Sequence, residues 1–189
     1  MIYGFAEGPW QGKRFCAELT RQGFKTTEDP TKADIVIAHS GGCFMLPEPN
    51  GHQLTVLMNP PYWPGKPLIL SAVQSLWWNA ETFAKEGAFG FWLKKVCWNT
   101  WYIFRYPTKS RWIIRHAHKR ELHQAINQRR TLIIRSNQDN WLAPNASNVI
   151  AEHADFTYRE LPGIHDDCWL HPAPYIEVLK SVYDTGRAH

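Results

Sequence analysis

The run from Ala33 to Ala38, with Ile35-Val36-Ile37-Ala38 at its heart, is apolar and β-branched without alternation, and Leu54-Thr55-Val56-Leu57-Met58 and Thr131-Leu132-Ile133-Ile134-Arg135-Ser136 read as two further strands. A strand with one wet face alternates; a strand buried on both faces does not, and such strands belong to the interior of a parallel sheet covered by helices. Ile2 to Phe5, Phe24 to Thr27 and Phe156 to Leu161 are shorter candidates for strands. Between the candidate strands lie helical segments: about Trp10 to Arg21, closed by Gln22-Gly23 as a glycine C-cap, Glu121 to Gln128, and about Pro172 to Tyr183. Strands alternating with helices imply an α/β fold. Right-handed crossovers then place helices on both faces of a mainly parallel six-stranded sheet, giving a three-layer α/β/α sandwich.

The 189 residues suffice for one sizeable core and are short for two, so residues 1–189 are expected to form a single domain. Apolar residues at 44% and charged residues at 20% exclude a disordered chain. The texture changes between the fourth and fifth candidate strands. Residues 62–118 have helical period but are loaded with aromatics, among them Trp77, Trp78, Trp92, Trp98, Trp101, Phe104 and Trp112. Two readings fit this insertion: a helical cap over the site, or helices covering one sheet face. Arg105, Lys109, Arg111, Arg115, Lys119 and Arg120 make part of it basic, around Tyr106 and Trp112. Such a run could attract nucleic acid or anionic lipid, although it is more often a solvated helix face, and nucleic acid is not the expected partner.

Parallel sheets present reactive groups at the carboxyl ends of their strands. Three such ends carry suggestive residues: His39-Ser40-Gly41-Gly42, Asn137-Gln138-Asp139-Asn140-Trp141, and Gly163-Ile164-His165-Asp166-Asp167. A serine hydroxyl is a poor nucleophile unless a base takes its proton, and a neutral imidazole held by a carboxylate is the usual base. Ser40, His165 and Asp139 can supply these three roles. Asp166 and Asp167 compete with Asp139 as the acid but follow the histidine immediately, which suits loop capping or a solvated position better.

Ala38-His39-Ser40-Gly41-Gly42 resembles the nucleophile elbow of the α/β-hydrolases, with Ala38 at the first glycine position, and the chain order Ser, Asp, His is also theirs. Asp139 with Pro144 resembles the acid loop, and Pro162-Gly163-Ile164-His165 with Trp169 and Pro172 resembles the histidine loop. Tyr3-Gly4-Phe5 resembles the oxyanion loop, with Tyr3 in place of a histidine. The similarity is greatest to compact members such as the retinoblastoma-binding serine hydrolases. It implies an α/β-hydrolase fold with sheet order 2-1-3-4-5-6, a helical cap insertion, oxyanion donors at the backbone N–H groups of Gly41 and Phe5, and cleavage of a small-molecule carboxylic ester, with thioester or amide as lesser options. His39, Trp77 and Trp141 are the candidates for lining a substrate pocket. A hydrolase-fold protein that binds without catalysis, and a basic aromatic module for membrane surfaces or nucleic acid, are the alternatives.

No cofactor and no metal are expected. His116 and His123 could share a helix face, but no carboxylate accompanies them at a ligating spacing. Cys16, Cys43, Cys97 and Cys168 are scattered without a paired motif and are expected to be reduced, buried thiols. The chain passes from Met1 directly into a candidate strand, and no apolar run is long enough to span a bilayer, so a cytoplasmic location is expected.

Overall fold

A computed structural model describes residues 2–4, 10–46, 53–60, 68–118, 130–139 and 157–185. Five strands form one sheet: β1 (Ile2–Gly4), β2 (Ile35–His39), β3 (Leu54–Met58), β4 (Arg130–Ser136) and β5 (Thr157–Leu161). Every neighbouring pair is parallel, and the strands lie in chain order. The helices are α1 (Lys13–Arg21), α2 (Leu68–Lys85), α3 (Phe89–Arg105), α4 (Pro107–His118), the single turn α5 (Asp167–Leu170) and α6 (Pro172–Thr185).

The unbroken apolar runs become central strands for the reason their pattern gives. Ile37, Val56, Leu132 and Ile134 face one side, where Phe15 and Leu19 of α1, Trp169 of α5, and Tyr175, Ile176 and Leu179 of α6 meet them in one core. Val36, Ala38, Leu57 and Ile133, pointing the other way, are equally buried. Trp169 sits at the centre, its ring 5.8 Å from Phe15 and 4.9 Å from His39, both edge-on.

The class is α/β, but the six-stranded sheet in order 2-1-3-4-5-6 is not what the described residues form, and with it goes the α/β-hydrolase sheet expected from the resemblance. The missing strand is Phe24 to Thr27, which is irregular. The end of α1 explains this. Gly23, at φ +90°, closes the helix with Gly23 N–H donating to the Thr20 carbonyl and Phe24 N–H to the Leu19 carbonyl, both at 3.0 Å. Phe24 is thereby turned into the core beside Tyr183, while Lys25, Thr26 and Glu28 stay exposed. A segment that spends its one large apolar residue on a helix cap has nothing left to hold a strand register. The sheet order consequently shows no reversal among the described strands.

The expected helix from Glu121 to Gln128 lies outside the described residues, as do positions 62–67 of the insertion. From Leu68 onward the insertion is three helices. Phe83 of α2 and Phe91 and Trp92 of α3 pack on Ile164 and Leu170, Trp98 of α3 meets Trp10 edge-on at 5.0 Å, and α4 packs against the turn following β2. Cys43 and Cys168 are buried as expected, whereas Cys97 is exposed on α3; the four cysteines form no disulfide. No described helix is long and apolar enough to cross a membrane.

Trp169 joins the core to the loop of His165, so its truncation leaves a large void. Trp169→Ala is expected to lower unfolding stability by about 3 to 5 kcal/mol, read from urea denaturation.

Candidate active site

Strand β2 is hydrogen-bonded to β3 with His39 opposite Met58. The next residue on each strand, Ser40 and Asn59, has a left-handed backbone, with φ of 51° and 47°. These are the only positive-φ residues other than glycine among the described ones, and such conformations in L-residues mark positions that surrounding structure holds against strain. At Ser40 the chain leaves the extended conformation of His39 for a short 3-10 turn, Ser40–Phe44, in which Gly41, Gly42 and Cys43 are buried. Small residues allow the turn to close against the sheet while the serine remains half-buried.

The other two groups arrive by an extension of the β4–β5 pairing. Past Ser136 and Leu161 the two loops stay stitched together. Asn137 N–H donates to the Leu161 carbonyl and Gln138 N–H to the Gly163 carbonyl, each at 2.9 Å, and Gly163 N–H donates to Asn137 Oδ1 at 3.3 Å. Gly163 stands at φ +134°, where a Cβ would meet the Asp167 carboxyl carbon at 2.6 Å. This pairing carries Asp139 and His165 to one place. Asp139 Oδ2 accepts from His165 Nδ1 at 2.8 Å, and His165 Nε2 is 2.8 Å from Ser40 Oγ. With an ionised aspartate the Nδ1–H donates to it, leaving Nε2 to accept the serine proton.

The backbone of His165 is itself gripped. Its carbonyl accepts from His39 Nε2 at 2.9 Å and from Asn59 Nδ2 at 2.7 Å. Asn59 also donates to Ser136 Oγ at 2.9 Å and accepts from Ser136 N–H at 2.6 Å, and Ser136 Oγ lies 2.7 Å from the buried Tyr175 hydroxyl. His39 is therefore a buried prop beneath His165, its ring 4.9 Å from the imidazole, and its hydrogen bond fixes the proton on Nε2.

Asp166, the neighbour of His165, is buried rather than solvated. Burial alone would raise its carboxyl, but the ammonium of Lys95, reaching in from α3, and the imidazoles of His165 and His39 outweigh that and hold it well below the usual carboxylate range. Asp167 pairs with His171 at 3.0 Å. Donor atoms of His39, His165 and Asp166 lie within 4.8 Å of one another. Their best ligand atoms are already engaged by the His165 carbonyl, by Asp139 and Ser40, and by Lys95, so these residues do not fit a resident metal.

Of the residues named from sequence, the structure brings together Ser40, Asp139 and His165, with Gly41 next to the serine and His39 below. Trp77 is on α2 and 74% exposed. Phe5 and Trp141 lie outside the described residues, as does His123, while the side chain of His116 is not described. Asn59, Ser136, Tyr175 and Lys95 were not singled out from sequence. Asn59 alone carries a local sign, an asparagine at a strand end before Pro60-Pro61, a residue that tolerates the left-handed region. No family model matches the sequence, and a search of the curated proteins finds no relative.

Lys95→Met leaves the Asp166 charge buried without its cation, and is expected to cost about 3 to 5 kcal/mol near neutral pH in urea melts. The sign then changes with pH. In the parent chain the depressed Asp166 carboxyl contributes stability above its unfolded value that is lost as pH falls from about 4 toward 2. In Lys95→Met burial raises that carboxyl, so acid protonates it and the deficit shrinks as pH approaches 4. A pH-independent deficit would show that the ion pair is not its origin.

Proposed function

We propose that the chain is a serine hydrolase that cleaves a small carboxylic ester through an acyl-enzyme on Ser40, a reading in keeping with the resemblance of its loops to those of the α/β-hydrolases. The observation that carries it is the unbroken relay from a left-handed serine at a strand end, through both nitrogens of one imidazole, to a buried carboxylate. A serine or histidine that serves packing alone needs no such relay.

The steps follow from these contacts. As Ser40 Oγ forms its bond to the ester carbonyl carbon, its proton passes to His165 Nε2, and the carbonyl oxygen takes up negative charge. Asp139 keeps the ring in the accepting tautomer and balances the imidazolium. The N–H of Gly41, next after the nucleophile, is suited to donate to the oxyanion, and one such donor is worth about 3 to 4 kcal/mol of barrier. When the intermediate collapses, the bond to the alkoxy oxygen breaks and Nε2 returns the proton to the departing alcohol. Water, deprotonated by the same nitrogen, then releases the acid and restores Ser40. General base and acid catalysis by His165 contributes about 10² to 10⁴ in rate. Phe83 of α2 and Phe91 and Trp92 of α3, seated on the His165 loop, are proposed to form the cap that selects the substrate, while the outer side of α3 takes no part in it. Cysteines without disulfides and the lack of a spanning helix among the described residues fit work in the cytoplasm.

A fluorophosphonate probe is expected to label the parent chain and not Ser40→Ala; an unlabelled parent overturns the reading. On p-nitrophenyl butyrate, His165→Ala and Asp139→Asn are expected to lose about 10³-fold or more in kcat, with little change in KM.

Asn59→Ala removes one of two donors to the His165 carbonyl while leaving the triad side chains intact. It is expected to lower kcat by about tenfold or more and to destabilise the fold by about 1 to 3 kcal/mol, since Ser136 N–H loses its acceptor. An unchanged kcat in a destabilised variant would make Asn59 a purely structural residue.

A further inference from the structure

Helix α3 is rich in aromatic and aliphatic residues, yet none of its 17 residues is buried. Phe89, Leu93, Cys97, Thr100 and Phe104 recur at helical spacing along its exposed side, with Trp101 and Ile103 beside them. Phe104 is 81% exposed and Trp101 49%, and Trp112 on the adjoining α4 is exposed as well. Isolated surface apolar residues need no explanation, but a contiguous apolar stripe of this kind marks a surface that meets something.

The charge around the stripe says what it meets. From Phe89 to His118 the sequence contains six Lys and Arg and no Asp or Glu, so all 17 acidic residues of the chain lie outside these two helices. Lys95 turns inward to Asp166. Lys94, Arg105, Lys109, Arg111 and Arg115 are exposed. Arg105 and Lys109 lie 5.3 and 5.5 Å from the ring centre of Tyr106, which holds cationic groups near the aromatic edge.

We propose that this face of α3 and α4 docks on an anionic lipid bilayer, with Leu93, Trp101 and Phe104 at the acyl boundary and the exposed lysines and arginines at the headgroup phosphates. A helix lying in the interface needs this pairing of an apolar side with flanking cations, and the absence of a spanning helix among the described ones makes the association peripheral. A single-stranded nucleic acid would use the cations and the rings but would leave Leu93 and Ile103 with no role, because its bases stack only on flat groups. The proposal does not depend on Ser40.

Co-sedimentation of the full chain with vesicles tests it. Retention is expected on phosphatidylcholine vesicles containing phosphatidylglycerol, little on phosphatidylcholine alone, and less on the anionic vesicles as salt is raised. Lys109→Gln with Arg111→Gln should weaken partitioning about tenfold, and Trp101→Ser with Phe104→Ser by at least as much. Both pairs are exposed, and circular dichroism checks that they fold. Hydrolysis of a soluble ester should be unchanged in the Trp101→Ser, Phe104→Ser chain, so that loss of docking and loss of the triad are read separately. No sedimentation of the parent, equal retention on neutral and anionic vesicles, or full retention of the serine variant overturns the proposal. A dimer in solution that disappears with Phe104→Ser also overturns it, by making a second copy of the chain the occupant.

Discussion

The carbonyl oxygen of His165 is the point on which the site depends. It accepts hydrogen bonds from the end of β2, through His39, and from the end of β3, through Asn59. A histidine on a loop would otherwise sample many ring positions, and a misplacement of about 1 Å at the reacting atoms is enough to cost a large factor in rate. Two donors from adjacent strands fix the loop in the direction the sheet dictates. Parallel pairing makes this possible: with His39 in register with Met58, the residues one step further, Ser40 and Asn59, leave the sheet side by side. Both take left-handed backbones there, one to present its hydroxyl and the other to turn its amide toward β4 and the loop.

The same logic explains how Asp139 reaches the imidazole. Its loop is tied to the β5 loop by the bonds that prolong the β4–β5 ladder, so acid and base are brought together by backbone pairing before any side-chain contact forms. Tyr175 and Ser136 close the network from below, linking the terminal helix to the strand end. Stability of the core and geometry of the relay are in this way one construction, with Trp169 touching both Phe15 and His39.

What could be read from sequence divides along these lines. Double burial of β2 is written in the run Ile35-Val36-Ile37, since burial on both faces leaves no room for alternation, whereas β3 and β4 are legible as strands without their burial being so. Ser40, Asp139 and His165 were legible because a parallel sheet collects the loops at one edge. Phe24 to Thr27 reads as a strand because local β-propensity does not reveal that Phe24 is committed to the cap of α1. Lys95 and Asp166 are opaque for a different reason: their meeting depends on α3, whose Lys95 lies 71 residues before Asp166, folding onto the histidine loop, and each reads locally as an ordinary solvated charge.

Helix α3 has opposite demands on its two sides. Lys95 lies half a turn round the helix from the line of Leu93, Cys97 and Phe104, and only 12% of its side chain is exposed. An ammonium there is expensive to desolvate, and an apolar pair of similar size in place of both Lys95 and Asp166 would often serve stability as well, unlike loss of one partner alone. Its value is better sought in Asp166, a carboxylate beside both His165 and His39 that Lys95 neutralises. Seating α3 on the histidine loop thus sets the electrostatic surroundings of the imidazole, while the outer side of the same helix carries the apolar stripe. Any force that tilts α3 at its outer face must either carry Lys95 with it, leaving Asp166 uncompensated, or be resisted by that pair. The buried ion pair therefore makes the orientation of the insertion and the state of the histidine loop parts of one equilibrium.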